Sequence, residues 1–317
     1  VQTRWGHLNK DYNLLTKCQA FGLDAHFTVE QCGRSSGGHF INFNGTGGVW
    51  RAVCIEDAGN WQADTLTEDL DLSYRAQLKG WEFKYLEDVI APAELPVTMN
   101  ALKSQQFRWT KGAAENTIKN LSRVLKSSLP FSTKVHSFFH LLNSAIFLCI
   151  VICSFLSVPI LVIKVNHDEF SLLFKMAGVF VFSLMFLMFF YGVSYFKERD
   201  FTLLKLMRFF AAFPVFLAMS MGLGIHNTIA VLEGLVGKKS PFVRTPKFNI
   251  TEGNKGWTKN IYRMKNMGIL TYIEGLSALY FLFGIYLSFH LKDYTMIYLE
   301  TILFLGYLRV FFYSVKH

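Results

Sequence analysis

Charged residues are scarce in this chain. Only 17% of its 317 residues are Asp, Glu, Lys or Arg, whereas 51% are hydrophobic and 32 are Phe. The apolar residues concentrate in the second half, which indicates a membrane protein. The net charge of +9 does not predict a nucleic-acid partner, because the basic residues flank apolar runs and form no continuous patch. The sequence therefore predicts the lipid bilayer as a partner and excludes nucleic acid.

Cysteine pairs and a leader segment are also lacking. The five cysteines contain no CxxC pair, and two of them, Cys149 and Cys153, lie inside an apolar run. This pattern indicates neither a disulfide framework nor a zinc site. The chain begins at Val1 without an initiating Met or a signal peptide. We expect it to be the C-terminal part of a longer protein.

A carboxylate pair, Glu68 and Asp69, stands at the start of a predicted helix over Leu66–Lys79. Thr65 and Glu68 have capping-box spacing, and Gly80 is a natural helix stop. Asp69 would lie in the first turn, where free N–H groups and the helix dipole favour an ionised carboxylate. Such a group suits a general base. The alternative is that these acids only start a helix.

Gln105, Arg108 and Trp109 have i, i+3, i+4 spacing, so a helix places all three on one face. An amide, a fixed cation and a large ring suit a polyhydroxylated or phosphorylated ligand, although surface packing is the alternative. The surrounding stretch, Thr98 to about Leu129, is amphipathic and suits a membrane surface.

Strand and helix signals alternate before this stretch, which indicates an α/β domain. The predicted elements are a helix over Asp11–Gln31, a strand over His39–Phe43, a helix over Arg51–Ala58 and a strand over Trp81–Leu86. The glycine-rich segment Gly45-Thr46-Gly47 lets backbone approach a ligand closely, or forms a simple turn.

Four segments reach the roughly 20 residues that a spanning helix needs. They are Phe138–Ile163, Ser171–Phe196, Gly268–Leu291 and Tyr294–Val315. A fifth apolar region, Leu206–Val236, would place the basic loop 237–267 outside if it crossed. Because cytoplasmic loops are the basic ones, we expect this region to lie along the cytoplasmic interface.

The charged and histidine side chains near these segments could each have more than one role. Glu274, Glu300 and Arg309 either pair between helices or line a wet path. His136 and His140 are four residues apart and could share a helical face as metal ligands, but no third ligand is evident. We expect them to be membrane-boundary histidines.

Two motifs together resemble a known family. Residues 67–69 read T-E-D and residues 105–109 read Q-Q-F-R-W, just before the apolar segments. They are similar to the T-E-D and Q-x-x-R-W signatures of processive, membrane-embedded family-two glycosyltransferases. This group contains cellulose synthases, cellulose synthase-like mannan and glucan synthases, and hyaluronan synthases. The resemblance covers essentially the whole chain.

The resemblance implies an α/β fold, the C-terminal half of a GT-A-type domain, followed by interfacial helices and a bundle of about four transmembrane helices. The implied regions are the catalytic half (1–97), amphipathic interfacial helices (98–136) and a membrane region (137–317) with an interfacial segment (206–236) and a gating-type loop (237–267). Residues 1–9 resemble the segment that follows the metal-binding D-x-D element. No such element precedes them here, so the nucleotide-binding half is expected to be missing.

The resemblance also implies roles for the motif residues. Asp69 would be the general base, supported by Glu68. Trp109 would stack under the acceptor sugar, while Gln105 and Arg108 would contact the acceptor or the diphosphate. Gly45, Thr46 and Gly47 would form an acceptor-side loop.

The basic loop carries a further similarity, to the F-x-V-T-x-K gating-loop motif of cellulose synthase. Phe242, Thr245 and Lys247 match it, whereas Arg244 stands one position before the threonine, where the motif has Val. A diphosphate would be the ligand of this loop.

The implied function is an inverting glycosyltransferase that extends a β-linked polysaccharide from a nucleotide sugar (UDP- or GDP-sugar), with or without coupled export. The alternatives are a non-catalytic transport or scaffold subunit, or single-sugar transfer to a lipid carrier. A divalent cation, Mg or Mn, is expected as the cofactor. Its ligands are expected mainly in the missing half, and none is expected in this chain. A multi-pass protein of the plasma, inner or Golgi membrane is expected, with the catalytic part and basic loop cytoplasmic. Partner subunits are not indicated.

Overall fold

The structure, a computed structural model, describes residues 1–197, 200–246 and 268–316. The chain folds into two compact units. The first contains residues 1–97, 101–147 and 227–246, and the second contains residues 98–100, 148–226 and 268–316, within the described part of the chain.

The first half of the chain combines helices with two strands. In chain order its elements are β1 (Gln2–His7), α1 (Leu14–Ala25), α2 (Cys32–Ser36), α3 (Ala52–Asp57), α4 (Glu68–Leu78), β2 (Tyr85–Ala93), α5 (Met99–Lys126) and α6 (Phe131–Leu141). A π-helical turn over His26–Gln31 joins α1 to α2. The helices predicted near residues 11–31, 51–58, 66–79 and 98–129 are all present.

The second half contains helices and no strand in its described residues. Its elements are α7 (Ile146–Asn166), α8 (Ser171–Ala177), α9 (Val181–Phe196), α10 (Leu203–Gly222), α11 (Gly224–Leu235), α12 (Ile269–His290) and α13 (Ile297–Lys316). Helix α11 begins in the second unit and enters the first at Asn227.

The strands β1 and β2 pair in parallel and form a two-stranded sheet in the described part of the chain. Gln2 lies opposite Tyr85, and Gly6 lies opposite Pro92. Pro92 lacks an N–H group, which a strand with a neighbour on one side tolerates. The strand predicted over Trp81–Leu86 is therefore wrong in its bounds, because the paired strand begins at Tyr85 and runs through the proline-containing segment.

The strand predicted over His39–Phe43 is wrong. These residues form no strand, and their backbone bonds to side chains of α4 instead. The Gln77 amide donates to the Ile41 carbonyl at 2.8 Å and accepts from the Ile41 N–H at 3.0 Å. The Phe43 N–H donates to the Ser73 hydroxyl at 2.8 Å. The alternating pattern does not distinguish a segment that pairs with a strand from one that bonds to helix side chains.

Helix α4 is packed on two sides. On one side, Leu72 and Ala76 pack against Cys54 and Ala58. The opposite side contributes to a cluster of Phe40, Tyr74, Val124 and Leu141. Burial on two faces holds this helix in one orientation, since a rotation would expose apolar side chains to water.

A buried carboxylate, Asp71, joins α4 to α5. It accepts hydrogen bonds from Arg75 Nε at 2.8 Å, Lys119 Nζ at 2.9 Å and Asn120 Nδ2 at 3.0 Å. A buried charge persists when it is paired and hydrogen-bonded, as this one is. The network fixes the beginning of α4, and hence Asp69, relative to α5.

The capping box predicted from Thr65 and Glu68 is wrong. Thr67 is the N-cap residue, and it makes no side-chain capping bond. Its carbonyl and hydroxyl oxygens instead accept from Asn116 Nδ2 of α5, at 3.2 and 3.0 Å. Gly112 makes this approach possible, because a Cβ atom there would lie 2.5 Å from the Thr67 hydroxyl. Thr67 thus bonds to α5 and does not cap α4.

Among the residues that the structure describes, four helical segments are long and apolar enough to cross a membrane, by length and composition. They are Phe131–Asn166, Leu203–Gly222, Ile269–His290 and Ile297–Val315. Their number equals the predicted one, and they indicate insertion into a membrane.

The members of this set differ from the prediction in two places. The segment Ser171–Phe196 is interrupted by a 3-10 turn over Gly178–Phe180, which leaves a short apolar helix after it. The region Leu206–Val236, predicted as one interfacial segment, divides into α10, which is of spanning length, and α11. Its polar residues from His226 onward lie in α11, so they do not lower the hydropathy of α10.

Polar and small side chains pair the helices of the second unit. Glu300 of α13 accepts a hydrogen bond from the Ser157 hydroxyl of α7 at 2.6 Å. Of the two roles expected for Glu300, this contact is the pairing between helices. Gly284 makes room for it, since a Cβ atom there would lie 2.6 Å from the carboxylate. The Phe281 ring stacks on Tyr307 with centroids 5.5 Å apart.

Glycines bring α10 and α13 into backbone contact, so Gly306→Val should destabilise the second unit. A Cβ atom at Gly306 would meet the Ala218 carbonyl oxygen, and one at Gly222 would meet Gly306. We expect a cost of about 1–3 kcal/mol in unfolding free energy from overpacking. Gly192→Ala is the control, because its Cβ would be 3.7 Å from its nearest neighbour. Equal unfolding temperatures for both variants in detergent would contradict the close packing.

Candidate active site

A glycine turn meets Asp69 in the first turn of α4. The Gly45 N–H donates to Asp69 Oδ2 at 2.7 Å, and the Leu70 N–H donates to Oδ1 at 2.8 Å. Gly45 has a φ of +58°, a conformation that L side chains rarely adopt. The structure thus brings the turn and the carboxylate together and leaves the Asp69 side chain partly exposed.

The surroundings of Asp69 make it more basic than an ordinary carboxylate. Burial raises the pKa of Asp69 to about 6, and the neighbouring charge of Glu68 acts in the same direction. The hydrogen bonds from Leu70 and Gly45 oppose this rise in pKa. Near neutral pH the group is therefore mostly ionised and still able to accept a proton, as a general base requires.

Arg108 of α5 joins this carboxylate pair to the basic loop. Its Nη2 atom donates to the Thr245 hydroxyl at 2.7 Å, and its guanidinium lies 4.6 Å from the centroid of the Phe242 ring. Burial lowers the pKa of Arg108, while the negative charges of Glu68 and Asp69 oppose that shift. The basic loop therefore contacts this guanidinium, and the charges of Glu68 and Asp69 act on it from a distance.

Trp109 lies beside a second tryptophan, Trp5 of β1. Their ring centroids are 6.1 Å apart with planes tilted by 51°. Trp5 also contacts Phe27 of the π-helical turn, with centroids 5.5 Å apart. Gly47 leaves space for Trp5, because a Cβ atom there would lie 2.7 Å from the indole nitrogen. The two rings form an apolar wall next to the glycine turn.

A fully buried lysine, Lys111, fixes the segment that leads into the basic loop. Its Nζ atom lies 3.0 Å from Glu233 Oε2 of α11 and 2.5 Å from the Ser240 hydroxyl. Lys238 pairs with the other oxygen of Glu233 at the surface. Gly234 allows the close approach, since a Cβ atom there would lie 2.7 Å from the Lys111 carbonyl oxygen.

Lys111→Met should loosen this segment without removing any proposed ligand contact. The change leaves Glu233 and Ser240 without their buried donor, which we expect to cost about 2 kcal/mol in unfolding free energy. Lys238→Met is a matched control on the same carboxylate, because an exposed pair contributes about 0–1 kcal/mol. Protease cleavage near Gly237 and thermal unfolding would measure both effects. Equal behaviour of the two variants would contradict the anchoring role of Lys111.

The remaining predicted residues are less closely connected. Gln105 is buried on α5, whereas Thr46 and Arg244 are exposed. Lys247 lies outside the described residues. His136 and His140 face different partners, since His136 stacks on His39 and His140 contacts the Tyr74 hydroxyl at 2.7 Å.

A divalent cation has no ligand set here. Among the described residues, no group of three or more His, Cys, Asp or Glu side chains is placed to hold a metal ion.

Several residues of this site were not predicted from the sequence. Trp5 and Gln2 lie on β1, a strand that was not predicted. In the sequence, Lys111 cannot be distinguished from the exposed basic residues of a helix. One signal in the sequence could have pointed to Lys111: it follows Arg108 by three residues and therefore lies on the same side of a helix.

Comparison with known proteins agrees with these motifs. Residues 1–225 match the family described as "Glycosyl transferase family group 2". "Glucomannan 4-beta-mannosyltransferase 2" of Arabidopsis thaliana is 34% identical over 310 residues, covering 94% of this chain and 55% of the relative. "Probable glucomannan 4-beta-mannosyltransferase 4" of Oryza sativa subsp. japonica is 46% identical over 147 residues, covering 46% of this chain and 26% of the relative.

The chain spans about half the length of the Arabidopsis relative, 55%. The match of the family over more than two thirds of the chain and the 34% identity along nearly all of it confirm the family that the T-E-D and Q-x-x-R-W motifs indicated. The chain belongs to glycosyl transferase family group 2.

Proposed function

We propose that the protein containing this chain is an inverting glycosyltransferase that extends a β-linked polysaccharide from a nucleotide sugar at a membrane. The observation that carries the proposal is the convergence at the start of α4. There the Gly45 N–H holds the Asp69 carboxylate, and Arg108 and Trp109 stand on the neighbouring helix α5.

In this proposal Asp69 accepts the proton of an acceptor hydroxyl. The freed oxygen attacks the anomeric carbon of the donor sugar from the side opposite the diphosphate, so the C–O bond to the diphosphate breaks and the configuration inverts. The pKa of about 6 for Asp69 allows the proton transfer near neutral pH. Glu68 keeps the local charge negative and thereby supports the basicity of Asp69.

Trp109 would bind the terminal acceptor sugar through the apolar face of its ring. Gln105 would support acceptor binding, and Gly45, Thr46 and Gly47 would offer backbone to the acceptor side. Arg108 would bind the diphosphate, because a guanidinium presents forked donors that match phosphate oxygens.

The segment beginning at Phe242 would act as a lid over the nucleotide. Thr245 and Phe242 already contact Arg108, so a diphosphate bound by that guanidinium would lie against the lid. Arg244 and Lys247 would add positive charge. Exclusion of water by the lid would protect the donor from hydrolysis.

We propose a mannose donor and a β-1,4-linked product, by analogy with the relatives, whose names describe 4-beta-mannosyltransferases of glucomannan. A GDP-sugar or a UDP-sugar would serve as donor. Family-two enzymes generally use a divalent cation, and Mg or Mn would stabilise the leaving diphosphate when bound. Its ligands would come from outside the described residues.

The positive-inside rule favours a cytoplasmic position for the loop 237–267, which carries eight Lys or Arg residues and Glu252 as its acidic residue. The first unit would face the same side, in the plasma, inner or Golgi membrane.

The test is donor use by membranes containing the protein expressed from its whole coding sequence. GDP-mannose, GDP-glucose, UDP-glucose and UDP-N-acetylglucosamine, each radiolabelled, are supplied separately with Mg or Mn. We expect incorporation from GDP-mannose into a product that endo-β-1,4-mannanase digests. Absence of incorporation from every donor would contradict the proposal and favour a non-catalytic subunit. A single labelled sugar on lipid would contradict polymer extension.

A further inference from the structure

One side-chain amide from β1 holds both ends of the glycine turn. Gln2 is completely buried, and its Oε1 atom accepts from the Asn44 N–H at 2.8 Å. Its Nε2 atom donates to the Gly47 carbonyl at 2.9 Å and to the Thr3 carbonyl at 2.8 Å. The amide therefore uses its acceptor oxygen and both of its donor hydrogens.

The atoms that Gln2 binds lie on either side of Gly45. The Asn44 N–H comes one residue before Gly45, and the Gly47 carbonyl comes two residues after it. Thr3 strengthens the second attachment, since its N–H and its hydroxyl both donate to the Gly47 carbonyl at 2.7 Å. The Gly45 N–H between these two points is the group that donates to Asp69.

The space beside Gly47 is filled by other side chains. A Cβ atom at Gly47 would lie 2.7 Å from Trp5 Nε1 and 3.0 Å from Gln2 Nε2. The segment before the turn is tied to α4, because the Phe43 N–H donates to the Ser73 hydroxyl. The same hydroxyl donates to the Asp69 carbonyl at 2.6 Å. Gln2 thus completes a closed set of hydrogen bonds around the Gly45–Asp69 contact.

We propose that Gln2 is a positioning residue, which holds the turn 44–47 so that the Gly45 N–H points at the Asp69 carboxylate. The proposal rests on the proposed role of Asp69 as the general base. Gln2 does not touch the acceptor; it acts through the backbone of the turn.

The charged groups that face Asp69 would remain in a Gln2 variant. They are Glu68, the adjacent residue of α4, and Arg108 on α5, and the turn itself contributes backbone N–H groups and no charge. Loss of one N–H donor removes a group that favours the ionised carboxylate, so the pKa of Asp69 should rise. The altered turn should therefore be visible in the pH dependence of transfer.

The experiment compares pH–rate profiles of wild type and Gln2→Met, in protein expressed from its whole coding sequence and supplied with GDP-mannose. Methionine has a similar length but no amide, so the turn loses both of its hydrogen bonds to Gln2 and keeps those from Thr3. The acid limb of the profile is the fall in rate toward low pH. We expect it to move to higher pH by about one unit, the effect of one good hydrogen bond on the pKa of a carboxylate. Sugar transfer should then fall about fivefold at pH 6 and stay near the wild-type rate at pH 8.5.

Asn9→Leu is the matched control. Asn9 is another buried amide next to β1, and it holds the Leu95 backbone through two hydrogen bonds of 2.9 and 2.8 Å, away from the turn. Its loss should lower the unfolding temperature as Gln2→Met does, with the acid limb unchanged. Thr3→Val gives a milder perturbation of the same carbonyl, and it should move the limb upward by a smaller amount.

An unchanged acid limb in both Gln2→Met and Thr3→Val would overturn the proposal, and so would an equal shift in Asn9→Leu, because Gln2 would then act only on stability. Full transfer activity in Asp69→Asn would overturn the base assignment itself, a result that the wild-type and Asp69→Asn profiles show before any Gln2 variant is measured.

Discussion

Asp69→Asn should abolish sugar transfer while the first unit remains folded. Asparagine keeps one oxygen, so it can retain a single hydrogen bond from the turn or from Leu70, but it cannot accept the acceptor proton. Loss of a general base commonly costs about 10²–10⁴-fold in rate. The measurement is incorporation of labelled sugar by the protein expressed from its whole coding sequence, together with nucleotide binding, which should remain.

The control for this change is Asp24→Asn. Asp24 is a partly exposed carboxylate on α1, where it contacts His7 at 3.2 Å. Its amide variant should transfer sugar within about twofold of wild type, since exposed substitutions have small effects. Near-normal synthesis by Asp69→Asn would remove Asp69 from the role of base.

Arg108→Lys should produce the second large effect, although it preserves the charge. Lysine lacks the planar fork that could hold the Thr245 hydroxyl, the Phe242 ring and a diphosphate at the same time. We expect a loss of about 10²–10³-fold in transfer rate, the size observed when a preorganised donor at developing charge is removed. The loss should appear in the rate constant and in the affinity for nucleoside diphosphate.

Thr245→Val should be milder than Arg108→Lys and partly non-additive with it. The two side chains share one hydrogen bond, so the double variant should show a coupling of about 1 kcal/mol. Arg123→Lys, an exposed position on the same helix, is the control and should leave transfer unchanged. Full additivity would mean that the contact between the loop and α5 contributes nothing during transfer.

The motif-bearing helices could be predicted from the sequence because their spacing is local. The positions of Asp69 on α4 and of Arg108 and Trp109 on α5 follow from helical periodicity, which is visible within a dozen residues. The membrane segments could also be predicted from the length of their apolar runs, except where one run contained two helices. At Leu223 the division between α10 and α11 depends on packing, as the contact of Gly222 with Gly306 illustrates.

The contacts that assemble the site could not be predicted in this way. Arg108 and Thr245 are 137 residues apart, and the loop lies beside this helix through the buried Lys111–Glu233 pair, which leaves no periodic signal. Likewise, nothing in the sequence around Gln2 predicts that its amide bonds to the backbone on both sides of Gly45. Buried polar pairing between distant segments is specified by tertiary packing.

The pH dependence of sugar transfer tests the assignment of the base most directly. Wild-type transfer should fall about tenfold per pH unit below a pKa of about 6, because burial raises the pKa of Asp69 above its ordinary value of 3.8 and only the ionised form accepts a proton. Binding of the donor is measured at each pH, so that a pH dependence of binding can be separated from the pH dependence of the transfer rate. A rate that stays constant from pH 8 down to pH 4.5, with donor still bound, would contradict the account.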